Sequence, residues 1–315
     1  MSANFLPNYP IVVLQMIAVM IVWPRMVFWK YLRGKSAAYQ LGFCLCSSIV
    51  VTSIGGLLLG SLNFLYGNIY AFIYWAVFAG FFIAWVVSFV KNFKNRKKDE
   101  PIEIPFVTSF LIWLDNFTHN LFRSWKYSKK YWIELILNLI LIALVVWIVW
   151  YMGHDIRVKG QYIFSDTVRH EKMVQQMLAN NLYAEGVYPY GLHLIIYTAV
   201  TCLGANLYNF NMYCGNMMCL AFLVALYFWL KTIFKNKVSA VLVIALFLVT
   251  ATCVLHFKAD DRMVFDGLHR LRYSLPEEFC MFAMFIAPIC ITKIMRSDLK
   301  MRDKSTLSSI SIFLK

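Results

Sequence analysis

The stretch QLGFCLCSSIVVTSIGGLLLGSLNFL, residues 40–65, decides the fold class of this protein. It contains no charged residue, and it exceeds the roughly 20 apolar residues that a helix needs to cross the hydrocarbon core of a bilayer. A lone strand cannot satisfy its backbone hydrogen bonds in lipid, so we expect a helix. The stretch therefore predicts an integral membrane protein rather than a soluble one.

Comparable apolar runs on both sides of this stretch predict an all-α, polytopic transmembrane protein. About seven runs qualify as spans, at 11–28, 40–65, 68–90, 132–152, 210–230, 238–256 and 279–294. Of the 315 residues, 61% are hydrophobic and only 15% are charged, whereas soluble chains carry about 25% charged residues. Runs of this length also exclude the short alternating strands of an outer-membrane barrel.

The formal net charge of +14 indicates how the spans are oriented and does not indicate a nucleic-acid partner. If the N-terminus lies outside, most of the 30 lysines and arginines fall in inner loops and in the C-terminal tail. Cytoplasmic loops carry such an excess of positive charge. We therefore predict a multi-pass protein of the plasma (inner) membrane with a cytoplasmic C-terminus, in contact with membrane lipids.

Two further segments are predicted to lie at the membrane surface. Residues 192–204 are apolar but too short to span, and counting them as a span would turn the later basic loops outward. We expect an outer juxtamembrane helix that dips into the interface. Residues 101–130 carry aromatic side chains at helical spacing and predict a cytoplasmic amphipathic helix, with a solvated linker as the alternative. This segment separates an N-terminal three-helix membrane region, 1–100, from a second membrane module, 131–315.

The polar chemistry of the chain is concentrated in two outer loops, 153–191 and 257–278. In the first loop a helix is predicted over 167–180, with Ser165 as its N-cap and Asp166 at its positive end. Its predicted buried face consists of Val168, Met173, Val174 and Met177. A carboxylate in that position is ready to accept a proton or to hold a cation, although helix capping alone would explain Asp166 equally well.

The order of the segments after Tyr131 carries a resemblance to a known superfamily. A full span is followed by an outer loop with Asp166, an amphipathic helix, the turn Gly186-Val-Tyr-Pro-Tyr-Gly191 with His193, and a short interfacial helix. This order resembles the GT-C superfamily of polytopic membrane glycosyltransferases over residues 131–294. The resemblance implies that Asp166 is the catalytic carboxylate, which deprotonates or orients the acceptor. It also implies a polyprenyl-phosphate sugar as the donor, reached from the membrane.

A phosphate leaving group requires fixed positive charge nearby, and the outer loops can supply it. The side chains expected to bind the substrate are Arg157, Arg169, His170, Lys172, Tyr188, His193, Arg270 and Arg272. For each of the arginines and for Lys172, contact with lipid headgroups is the alternative. We expect no cofactor. A divalent metal held by His154, His170 and His193 is an alternative that stays open, although their spacing matches no zinc signature.

Two other functions compete with a glycosyltransferase. The first is a non-enzymatic membrane protein, either a transporter or a polysaccharide-assembly component. A transporter should carry ionisable residues inside its spans, and these spans are nearly free of charge. The second is an inactive truncated remnant. The GT-C module has more spans than follow Tyr131, and residues 305–315 begin another apolar stretch, so we expect 131–315 to be an incomplete module.

Overall fold

The computed structural model describes residues 5–33, 37–94, 129–152, 165–182, 190–234 and 237–253. All regular elements in these ranges are helical, which confirms the all-α prediction for this part of the chain. The elements are α1 (Phe5–Ile17), a wide turn (Ala18–Val22), α2 (Trp23–Val27), α3 (Trp29–Leu32), α4 (Ala37–Ser61), α5 (Gly67–Lys94), α6 (Lys129–Met152), α7 (Ser165–Leu178), α8 (Gly191–Leu203), α9 (Leu207–Phe234) and α10 (Lys237–Cys253). The span predicted at 279–294, and residues 101–128 of the predicted amphipathic helix, lie outside the described residues.

Three helical stretches in these ranges are long and apolar enough to cross a membrane: Asn8–Val27, Gln40–Ser61 and Gly67–Lys91. They coincide with the first three predicted spans, so the membrane prediction holds for the N-terminal region. The spans predicted at 132–152 and 210–230 fall within α6 and α9, and most of the one at 238–256 falls within α10. That these later helices cross the bilayer stays a prediction.

The first span is helical throughout, but it contains one π-helical turn. That turn lies just before Pro24. Proline has no backbone N–H, so position 24 cannot bond to the carbonyl of Met20 four residues earlier. Residues Ala18–Val22 form a π-helical turn, after which the Trp23 N–H bonds to the Ala18 carbonyl. Such wide turns occur as single insertions within α-helices. Here the wide turn lies just before the proline, and the helix continues past it to Val27.

The connection between α4 and α5 is a tight turn that Asn63 makes possible. Asn63 has a φ of 56°, in the left-handed region. Its N–H bonds to the Gly60 carbonyl at 3.1 Å, and the Phe64 N–H bonds to the Leu59 carbonyl at 2.8 Å. This pair of bonds is the Schellman motif, which satisfies the last carbonyls of a helix. The motif ends α4 sharply and lets α5 begin within a few residues.

The core of the described protein is built around α8. All residues from Leu192 to Ala199 are buried, and α8 packs against α4, α5, α7 and α9. On α4, a side chain added at Gly56 would collide with Leu194, and one added at Gly60 would collide with Leu182. The prediction of a short helix here is confirmed. The structure adds that protein encloses this helix, a feature that its composition alone did not indicate.

Hydrogen bonds fix α8 to the α4–α5 turn and to the first half of α5. The Tyr197 hydroxyl donates to the Leu65 carbonyl at 2.7 Å. The Tyr70 and Thr198 hydroxyls lie 2.8 Å apart, and Trp75 Nε1 donates to the carbonyl of Cys202 at 3.1 Å. Buried polar groups of this kind need partners, because an unmade hydrogen bond in the interior is costly. These bonds therefore fix the position of α8 along α5 and the α4–α5 turn.

Candidate functional site

The helix that carries Asp166 is present, and its bounds are close to those predicted. α7 covers Ser165–Leu178, two residues earlier at each end than the predicted 167–180. Ser165 is itself helical, so it lies inside the helix rather than before it. The helix ends because Asn180 has a φ of 60°. The N–H groups of Asn180 and Asn181 then bond back to the carbonyls of Met177 and Gln176, both at 2.9 Å, which forms a second Schellman motif.

The packed face of α7 agrees only partly with the prediction. Met173, Val174 and Met177 are buried as expected, but the prediction for Val168 was wrong, because that side chain is 54% exposed. The polar residues Thr167 and His170 are buried instead. Positions 167, 170, 174 and 177 recur at intervals of three and four, so they share one face of the helix. Hydropathy misplaces this face, since it favours valine over threonine and histidine.

The structure brings together two of the predicted substrate-binding residues, His170 of α7 and His193 of α8. His170 Nδ1 lies 3.1 Å from His193 Nε2, which is a hydrogen bond between the two rings. The exposed fraction is 4% for His170 and 0% for His193. One ring must donate a hydrogen and the other must accept it, which two neutral imidazoles can do. The ring of Tyr190 lies edge-on to His193 at 5.9 Å.

Burial keeps His193 uncharged near neutral pH. The pKa of His193 falls from its ordinary 6.5 to about 3, first because burial disfavours the charged form and second because His170 lies beside it. Both causes act in the same direction, since a second positive charge nearby would repel the first. His193 is therefore a neutral hydrogen-bonding partner for His170 across the two helices.

A second polar contact lies one turn away, at the start of α7. The Asn211 side chain of α9 donates from Nδ2 to the Thr167 carbonyl at 3.1 Å, and both residues are buried. Asp166 precedes Thr167 directly, so its backbone is helical and lies next to this contact. Sequence reasoning missed Thr167 and Asn211. A threonine beside the proposed catalytic carboxylate was the only available signal, and it is a weak one.

Two other predicted site residues in the described ranges do not join the histidine pair. Arg169 and Lys172 lie on α7 but are exposed, on a different face from His170. Both side chains therefore carry their charge at the surface of the described protein. The remaining predicted substrate-binding residues, Arg157, Tyr188, Arg270 and Arg272, lie outside the described residues.

A metal centre finds no support in the part of the chain that the structure describes. No group of three or more histidine, cysteine, aspartate or glutamate side chains there could hold a metal ion. His170 and His193 supply two nitrogen atoms, whereas metal sites in proteins use three or four protein ligands. His154, the third residue of the alternative metal site, lies outside the described residues.

No family model, curated protein or solved structure matches the chain. The resemblance to the GT-C superfamily therefore rests on the order of the segments and on Asp166, Gly186-Val-Tyr-Pro-Tyr-Gly191 and His193.

Proposed function

We propose that the protein is a membrane glycosyltransferase that transfers a sugar from a polyprenyl-phosphate donor to an acceptor on the outer face of the membrane, with Asp166 as the general base. The observation that carries the proposal is the anchoring of α7 immediately after Asp166. Thr167 is held by Asn211, and His170 is held by His193, each across 3.1 Å. A general base must be held within hydrogen-bond reach of the hydroxyl that it deprotonates.

The charge on α7 supports transfer from a phosphate-linked donor. Arg169 and Lys172 are exposed on the same helix as Asp166. In the proposed reaction they face the donor phosphate and stabilise the negative charge that develops as the sugar leaves. The three helices of the described residues that could span a membrane support a lipid-linked donor, because a polyprenyl chain dissolves in the lipid phase.

A non-enzymatic role, as a transporter or a polysaccharide-assembly component, is the second candidate. One observation favours it, because buried ionisable residues such as the His170–His193 pair form proton relays in transporters. The pair joins α7 to α8, however, and neither helix is among the three long apolar helices found in the described residues. An aqueous pathway through the spans would place such residues within them. We therefore give precedence to the glycosyltransferase.

The glycan composition of the cell surface tests the proposal. Cells that lack the protein would be complemented with the wild type, with Asp166→Asn, or with Glu171→Gln, at equal abundance in the membrane. Glu171→Gln is a matched control, because it removes a carboxylate from the same helix. We expect the wild type and Glu171→Gln to restore a glycan that Asp166→Asn does not. Full restoration by Asp166→Asn would exclude Asp166 as the base, and no restoration by the wild type would favour the non-enzymatic or remnant alternatives.

A further inference from the structure

We propose that His170 and His193 form a proton-sensitive latch that holds α7 against α8 and thereby regulates the site that α7 carries. The latch follows from the structure alone, whereas its regulatory role rests on the proposed glycosyl transfer. Both histidines would be positioning residues, since they act on Asp166 through the helix backbone.

The geometry makes the latch depend on neutral rings. The two nitrogen atoms lie 3.1 Å apart and both side chains are buried. One added proton would keep a donor and an acceptor but would place a positive charge in the protein interior. A second proton would leave two donors facing each other, since both nitrogens of a charged imidazole carry hydrogen. Each step disfavours the docked arrangement of the two helices.

The described groups that pack around His193 are mostly uncharged. Tyr190 lies edge-on to the ring. α4 presents Ser53, Gly56 and Gly60 to the region around α8, α5 presents Tyr70, and α9 presents Asn211 to α7. The buried residues of the first span are Val12, Met16, Val19, Met20, Trp23 and Pro24. On α7 itself, Arg169 and Lys172 are exposed and Glu171 is partly exposed.

The direction of the pH effect follows from the two states of His193. Its pKa is about 3 when docked, against an ordinary value of 6.5. The undocked state therefore binds the proton more readily. The latch is fully effective above pH 6.5 and weakens as the pH falls from 6.5 towards 3. Within this window, each pH unit lowers the docking equilibrium constant by about tenfold.

Hydrogen–deuterium exchange of the purified full chain in lipid nanodiscs tests the latch without requiring activity. The amides of α7 would be compared with those of α4 at pH 7.5 and at pH 4.5, after correction for the intrinsic effect of pH on exchange. We expect the protection of α7 relative to α4 to fall about a hundredfold in the wild type. The effect begins only below pH 6.5, and it is about tenfold for each of the two pH units between 6.5 and 4.5. Gln175→Ala, which removes an exposed hydrogen bond to Glu171 on the same helix, should behave as the wild type.

A double variant separates the hydrogen bond from its titration. In His170→Asn/His193→Gln, the two amides occupy the places of Nδ1 and Nε2 and offer a donor and an acceptor at any pH. We expect α7 to stay protected at pH 4.5 in this variant and to lose protection at both pH values in His193→Ala.

Equal protection of α7 in the wild type at both pH values would overturn the latch. This test uses only the wild type, so it holds even if the double variant does not fold. A loss of protection in the folded double variant that parallels the wild type would overturn it as well. Because exchange is measured without a substrate, a confirmed latch combined with a fully active Asp166→Asn would refute the proposed function and leave the latch standing.

Discussion

At the scale of single residues, the packing of α8 depends on the absence of a side chain on α4. Leu194 is fully buried and occupies the space that a Cβ at position 56 would need. A Cβ added at the adjacent Gly55, by contrast, would have no atom within 4 Å. The two adjacent glycines therefore differ completely in their surroundings, although the sequence presents them as a pair.

We predict that Gly56→Ala destabilises the protein by about 1–3 kcal/mol, because a methyl group forced into a filled core displaces its neighbours. Gly55→Ala should be neutral or slightly stabilising, because alanine favours the helix by up to about 1 kcal/mol over glycine. Thermal unfolding of the purified variants in detergent measures both effects. Equal melting temperatures for the two variants would show that Leu194 does not occupy the space next to Gly56.

We predict a different pH behaviour for Asn211→Ala than for the histidine variants. The substitution removes the side-chain hydrogen bond to the Thr167 carbonyl, and such a bond contributes about 1 kcal/mol. Neither partner titrates, so the loss should be the same at pH 7.5 and at pH 4.5. Hydrogen exchange of α7 measures it at both pH values. A loss confined to one of them would mean that Asn211 acts through the histidine pair.

The burial of Met173, Val174 and Met177 could be read from the sequence, because apolar residues at helical spacing predict a packed face. The burial of Thr167 and His170 could not. At both positions a residue far along the chain makes a hydrogen bond, Asn211 to the Thr167 carbonyl and His193 to the His170 ring. Nothing in local sequence indicates that these partners meet.

At the scale of the helices, local signals at the ends determine where the elements begin and end. α9 begins at Leu207, and the Asn206 side chain accepts a hydrogen bond from the Asn209 N–H at 3.0 Å. This is the usual role of asparagine before the first helical residue. Asn206 is also exposed, so its substitution changes the cap without disturbing the core.

We predict that Asn206→Ala destabilises α9 by about 1 kcal/mol, while Asn206→Asp retains the cap, because a carboxylate also accepts this bond. The measurement is hydrogen exchange of the first turn of α9 in the two variants and the wild type. Equal exchange in both variants would show that the side-chain bond contributes nothing to the start of the helix.

The helices of the described residues were well predicted by apolar runs, and the bounds of α7 differ by only two residues at each end from those expected. The enclosure of α8 was not predicted. A short apolar segment has the same composition whether it rests on lipid or on protein. What encloses α8 is the close approach of α4 at Gly56 and Gly60, together with the hydrogen bonds of the Tyr70 and Tyr197 hydroxyls. These contacts form only when the helices are assembled.

At the scale of the whole molecule, helices from the two predicted regions pack against each other. α8 contacts α4 and α5, and α9 contacts α1. The ring of Tyr9 in α1 lies 5.6 Å from the ring of Tyr213 in α9, edge-on. The sequence distinguishes the regions by the basic segment between them but does not indicate that they join. In the described part of the chain, α7 is thus held by a body that includes helices from both regions.

The membrane sidedness of α7 decides whether outer-face transfer is feasible, and impermeant thiol labelling of intact cells tests it most directly. Single cysteines would be placed at the exposed positions Lys172 on α7, Leu62 in the α4–α5 turn and Lys30 in α3, in a background without the eight native cysteines. The positive-inside orientation predicts that Lys172→Cys and Leu62→Cys are labelled in intact cells, and that Lys30→Cys is labelled only after permeabilisation. If Lys172→Cys reacts only after permeabilisation, α7 lies on the cytoplasmic side, and a glycosyl transfer at the outer face is contradicted.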